Sequence, residues 1–211
     1  MIVLQPVLEI QAMWDGFGLW PVAEAEPYGF LPLSGALSPA EVGTAVMSIA
    51  ACNDCEPDDG RPPRPADPLG AFLHGLLNTE DLFASGGLRV TDTVHRRTLV
   101  PGCCNGIDER SDWTEVVDGS GSGWASFGHD PSPFAERLGE GVRLTVDACR
   151  DDGPVIELPV TELRGLLSRA ERDLADFVRL VGPWAARRVP GHAAATTAAV
   201  ARALAVPVSV E

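Results

Sequence analysis

Residues Val142 to Val181 read VRLTVDACRDDGPVIELPVTELRGLLSRAERDLADFVRLV, and the period of the apolar positions changes once along them. Val142, Leu144 and Val146 alternate with polar residues, the pattern of a half-buried strand. Asp151-Asp152-Gly153-Pro154 supplies a turn, and Val155 to Leu158 is a second short strand. From Thr161, the expected cap, the step becomes three and four. Leu163, Leu166, Leu167, Ala170, Leu174, Phe177, Val178 and Val181 take one face, and Arg164, Arg169, Arg172, Asp173 and Asp176 the other. Paired strands followed by a long amphipathic helix predict an α+β fold.

The flanking sequence extends both halves of that pattern. Gly86-Gly87 opens a hairpin from Leu88 to Thr93 and Arg97 to Val100, and Trp124 to Phe127 is a short aromatic strand. Together these predict an antiparallel meander of about four to six strands flanked by helices. Ser38-Pro39-Ala40-Glu41 combines an N-cap, a proline at the first helical position and a glutamate that can return a bond to the cap, so a helix should run from Pro39 to Ala51. Asp67-Pro68 starts a second helix, with Leu69, Phe72, Leu73, Leu76 and Leu77 as its stripe. Residues 1 to 33 read as irregular or short-strand structure. Gly182-Pro183 should end or kink the long helix, and Pro190-Gly191 breaks the chain before a last helix from His192 to Ala205 and a tail strand or docked terminus from Val206 to Val210. A single α+β domain over 1–211 follows, with a helical and irregular part (1–85), a β-rich part (86–160) and C-terminal helices (161–211).

Composition excludes several kinds of chemistry. The net charge of -14 argues against nucleic acid and anionic membranes, because phosphate contacts need clustered basic residues, and it favours a basic protein partner. All 16 basic residues are arginine, which rules out Schiff bases, lysine general bases and the P-loop lysine. No stretch approaches the roughly 18 apolar residues of a membrane span, and the N-terminus has no basic leader, so a cytoplasmic location is expected. Five cysteines, an odd number, argue against a complete disulfide framework.

Chemically distinctive residues concentrate between Val100 and Pro133, in VPGCCNGIDERSDWTEVVDGSGSGWASFGHDPSP. Cys103 and Cys104 lie between a strand and a short helix in which Trp113, Val116 and Val117 share a face and which Asp108 or Ser111 can cap. A thiol near a helix N-terminus gains thiolate character, so either cysteine is a candidate nucleophile. His129 is the candidate general base and Asp130 its orienter, although adjacent residues on an extended chain point to opposite sides. Structurally, the same residues read as a buried thiol packing a glycine turn and an Asx-type turn ahead of Pro131. Cys52-x-x-Cys55 has the spacing of a zinc knuckle, which Cys103, Cys104, His95 or His129 could complete. The second cysteine pair is vicinal, however, and adjacent cysteines strain a shared ion. Asn105, Trp113 and Trp124 are candidate binding residues, and Trp14, Trp20 and Trp124, if exposed, are natural interface anchors.

On the residues GCCNGIDERSDWTEVVDG and WASFGHDPSP, the stretch from Gly86 to Ala185 resembles a group of uncharacterised actinobacterial proteins that share the glycine-cysteine-cysteine turn and the GHDPSP turn. The architecture is similar to the SUKH superfamily of immunity proteins. The leading expectation is a non-enzymatic, immunity-like or regulatory protein whose acidic face binds a basic partner, without a cofactor or metal. The alternatives are a Cys/His-dependent enzyme acting on an acyl or thiol-reactive substrate, and a zinc-supported domain.

Overall fold

A computed structural model describes residues 1–11, 16–54 and 62–207. The fold is α+β: two four-stranded antiparallel sheets and five α-helices among the described residues, with a long helix in the C-terminal part. The chain forms two compact units, Met1–Val7 with Ser85–Asp173, and Leu8–Ala84 with Leu174–Glu211. The boundaries thus fall at 7, 84 and 173, where the sequence reading marks 85 and 160.

The first unit holds the meander. Strands β5 (Trp124–Ser126), β6 (Phe134–Leu138), β7 (Gly141–Thr145) and β8 (Val155–Pro159) lie in the order β5-β6-β7-β8. Their register sets Ala135 opposite Leu144, and Leu144 opposite Ile156. Because side chains alternate across a strand, this register gathers Ala125, Ala135, Val142, Leu144, Ile156 and Leu158 on one buried face. Helix α3 (Ser111–Asp118) contributes Trp113, Val116 and Val117 to that core, and the start of helix α4 (Val160–Arg188) contributes Leu163, Leu166 and Ala170. The predicted hairpin is present as β3 (Gly86–Asp92) and β4 (Arg97–Leu99), with Val90 opposite Leu99. These belong to the other sheet, ordered β2-β1-β3-β4, where β1 is Ile2–Glu9 and β2 is Phe30–Pro32. Of the irregular or short-strand structure expected for residues 1 to 33, strand β1 is the strand part, eight residues long: Ile2, Val3, Val7 and their neighbours favour the pleat, and Leu4, Val7 and Leu8 are buried in it.

The second unit is mostly helical. Helix α1 (Pro39–Cys52) begins with a complete capping box, in which the Ser38 hydroxyl accepts from the Glu41 N–H while the Glu41 carboxylate accepts from the Ser38 N–H. Helix α2 (Pro68–Asn78) begins at Asp67, whose carboxylate accepts from the Gly70 N–H. Pro183 does not end α4, which runs on to Arg188. The proline removes one backbone donor, and burial of Phe177, Val181, Trp184 and Ala185 on the same helix offsets that loss. Trp20 is also buried, edge-on to Trp184 at 5.3 Å with its indole N–H on the Gly43 carbonyl, so it is a core residue and not the exposed anchor expected. Helix α5 (Ala193–Ala203) closes the unit. Trp14, Cys55 and the end of the expected tail strand lie outside the described residues. Among the described residues no helix is long and apolar enough to cross a membrane.

At the hairpin turn, His95 Nδ1 stands 2.5 Å from Asp92 Oδ2, and the Asp92 side chain also accepts from the Val94 and His95 N–H groups. The hydrogen bond from His95 holds the Asp92 carboxyl down to about 2, below its ordinary 3.8. A carboxyl depressed by folding favours the fold when ionised, so its contribution is complete above about pH 4 and lost as pH falls through about 2. Comparing the urea midpoint of the native chain with that of Asp92→Asn at each pH should therefore show a gap that narrows across this window. A gap independent of pH would refute the assignment.

Candidate functional site

Two loops of the first unit meet at the site. One, residues 100–106, leaves β4, and the other, residues 127–133, leaves β5. Phe127 leads the second loop and stacks on buried Trp113 with ring centroids 4.2 Å apart and planes 8° from parallel. Gly102 donates its N–H to the Phe127 carbonyl at 2.8 Å, and Cys103 and His129 then exchange both backbone hydrogen bonds, at 2.5 and 3.2 Å. Residues 26 positions apart in sequence are thereby made antiparallel neighbours.

Two glycines permit the crossing. A Cβ on Gly102 would stand 2.2 Å from the Pro131 carbonyl oxygen. One on Gly128, where φ is 96°, would stand 2.6 Å from that of Cys103. Neither backbone could approach the other with a side chain in place.

The bridge fixes the positions of the side chains. Cys104 adopts a left-handed conformation, φ 65°, which undoes the usual opposition of neighbouring side chains. The two Sγ atoms lie 3.4 Å apart. One ligand atom each from Cys103, Cys104 and His129 falls within 4.8 Å of the other two, and all three residues are exposed. Asp130 faces the same imidazole, Oδ2 to Nδ1 at 3.5 Å, but its side chain is 96% exposed. Water screens a pair so open, and Asp130 holds the ring only loosely.

Other expected roles are corrected. The thiols do not sit at the N-terminus of α3, because Asn105, Gly106 and a 3-10 turn over Ile107–Arg110 intervene. Neither Asp108 nor Ser111 caps the helix. The dipole acts within the first turn and so bypasses the cysteines. Asn105, a candidate ligand contact, is buried and donates to the Gly86 carbonyl at 2.6 Å, tying the cysteine loop to the start of β3. Trp113 is buried in the core, where a binding partner cannot reach it. Of the candidate binding residues only Trp124 is exposed, 52%, with its ring stacked on Phe134 at 5.5 Å. Cys52 is half-buried at the end of α1, and His95 is engaged with Asp92.

One support was missed in the sequence. Asp147 Oδ1 accepts from the N–H groups of Ser132 and Cys149, the Ala148 N–H donates to the Ser132 carbonyl, and the Cys149 thiol donates to Ser132 Oγ at 3.3 Å. These contacts moor the histidine loop to the turn between β7 and β8. The Asp-x-Cys spacing in a turn was its signal.

No protein-family model, curated protein or solved structure matches the chain significantly, and its function is argued from the geometry of these two loops.

Proposed function

We propose that the protein binds a thiophilic transition-metal ion, zinc or a chemically similar divalent ion, through Cys103, Cys104 and His129. The observation that carries this reading is the convergence of two sulfurs and an imidazole within 4.8 Å on the surface. Zn–S bonds of about 2.3 Å and Zn–N bonds of about 2.0–2.1 Å around a tetrahedron set ligand atoms roughly 3.5–3.8 Å apart. The 3.4 Å sulfur separation lies close to that spacing, and exposed side chains can make up the difference by small rotations. Three ligands among the described residues leave a fourth position for water or an incoming ligand, the arrangement of reactive rather than purely structural zinc sites.

Reduced protein titrated with Zn²⁺ should take up one ion per chain in native mass spectrometry, more tightly as pH rises, because thiols and imidazole give up protons on binding. Cys103→Ser, Cys104→Ser and His129→Ala should each weaken binding at least about tenfold. Undiminished binding by Cys104→Ser would overturn the assignment.

A second reading rests on Trp124, which is exposed on the outermost strand of the meander. We propose that this ring and the charge of -14 engage a basic protein partner. An arginine-rich peptide should quench tryptophan fluorescence in a salt-dependent manner, with affinity reduced about tenfold or more by Trp124→Ala. Equal affinity in that variant would remove Trp124 as the anchor.

A further inference from the structure

We propose that Cys103 and Cys104 also form a two-electron thiol/disulfide couple that exchanges with small organic disulfides, and that closing the couple ejects the metal ion. The second clause rests on the metal-binding reading; the first stands on the thiols alone.

Both cysteines are exposed, so a disulfide substrate can reach either sulfur. Their Sγ atoms are 3.4 Å apart and must close by rather more than 1 Å to reach a bond of about 2.05 Å. The left-handed turn at Cys104 has already placed the two sulfurs side by side, and the bridge to His129 holds the turn in place.

The sulfur of one cysteine attacks a disulfide RSSR, cleaving its S–S bond and releasing RSH. The sulfur of the other then attacks the resulting mixed disulfide and displaces the second RSH. In sum, two thiols and RSSR give one ring disulfide and two RSH. The pair loses two electrons, and the substrate gains those electrons and both thiol protons.

Geometry also sets the direction in which such a couple is useful. Consecutive Cα atoms are about 3.8 Å apart, whereas disulfides usually span about 4.4–6.8 Å. A bond between neighbours is therefore strained and easily reduced, which suits a reversible couple and not a structural staple. Once formed, the bond occupies two of the three proposed metal ligands.

The test treats reduced, metal-free protein and zinc-loaded protein in parallel with oxidised glutathione, following intact mass, peptide mapping and native mass. Metal-free protein should lose two hydrogens, mapped to the Cys103-Cys104 peptide and restored by dithiothreitol. Zinc-loaded protein should react at least about tenfold more slowly and lose its zinc as the ring closes. Cys103→Ser and Cys104→Ser should stop at a stable mixed disulfide. A native chain that stops at a mixed disulfide, or forms disulfides between copies, would overturn the couple while leaving metal binding intact. Ring closure in a protein that never binds zinc would instead overturn the metal reading and leave the couple standing. Ring closure with zinc retained would overturn the ejection step.

Discussion

Gly102→Ala should reduce zinc affinity roughly 10- to 100-fold, the range found when the supports of a metal site are disturbed, although residue 102 contributes no ligand. The added methyl would stand 2.2 Å from the Pro131 oxygen, 2.5 Å from the His129 nitrogen and 2.7 Å from the His129 oxygen, all backbone atoms that cannot swing aside. The two loops must part, and the Cys103–His129 bridge opens with them. Overpacking of this kind costs about 1–3 kcal/mol of stability, which a urea titration would register beside the zinc titration. Gly165→Ala is the control, since nothing stands within 4 Å of the added carbon and the site is inside α4. There the substitution should stabilise the fold by about 0.5–1 kcal/mol through helix propensity and leave zinc binding unchanged. Equal zinc affinities in the two variants would show that the crossing does not position the ligands.

The largest loss of stability is expected from Trp113→Ala, about 3–5 kcal/mol by chemical denaturation. Trp113 is among the largest fully buried side chains, and removing it leaves a cavity among Val116, Val117 and the inner face of the meander. It also strips one face of Phe127, the residue that leads into the histidine loop, so part of the loss should appear as weakened zinc binding at temperatures where the fold survives. Aromatic stacking contributes about 0.5–1.5 kcal/mol of the total. Trp124→Ala, on a half-exposed ring, should change stability by no more than about 1 kcal/mol. Similar losses at the two positions would contradict the packing described.

Periodicity made most of the fold legible. The capping box at Ser38, the proline at the start of α2, the alternation in β7 and the apolar stripe of α4 are local signals, and each element formed where its signal lay. Strand β1 was only partly legible, as one option for an irregular or short-strand N-terminus, because Pro6 and the glycines and prolines after it break the pattern and its pairing lies in the neighbouring strands. Strand β6 has weak alternation, and Phe134 to Leu138 is specified by partners on both sides. The site was legible as a set of residue types, Cys103, Cys104 and His129, but not as a geometry. A vicinal pair on an extended backbone would direct its sulfurs apart, and only the left-handed turn at Cys104 brings them together. That turn depends on a crossing that two glycines permit, and glycine leaves no apolar pattern to read.

The same crossing bears on solubility. Strand β5 is the outermost strand of its sheet and has only three residues. Open strand edges invite pairing with another copy of the chain, the first step toward aggregation. Just beyond β5, the Phe127 carbonyl and both backbone groups of His129 are already taken by Gly102 and Cys103. The loop that carries the thiols thus acts as a guard on that edge, so detaching it should produce precipitate enriched in intermolecular β-structure.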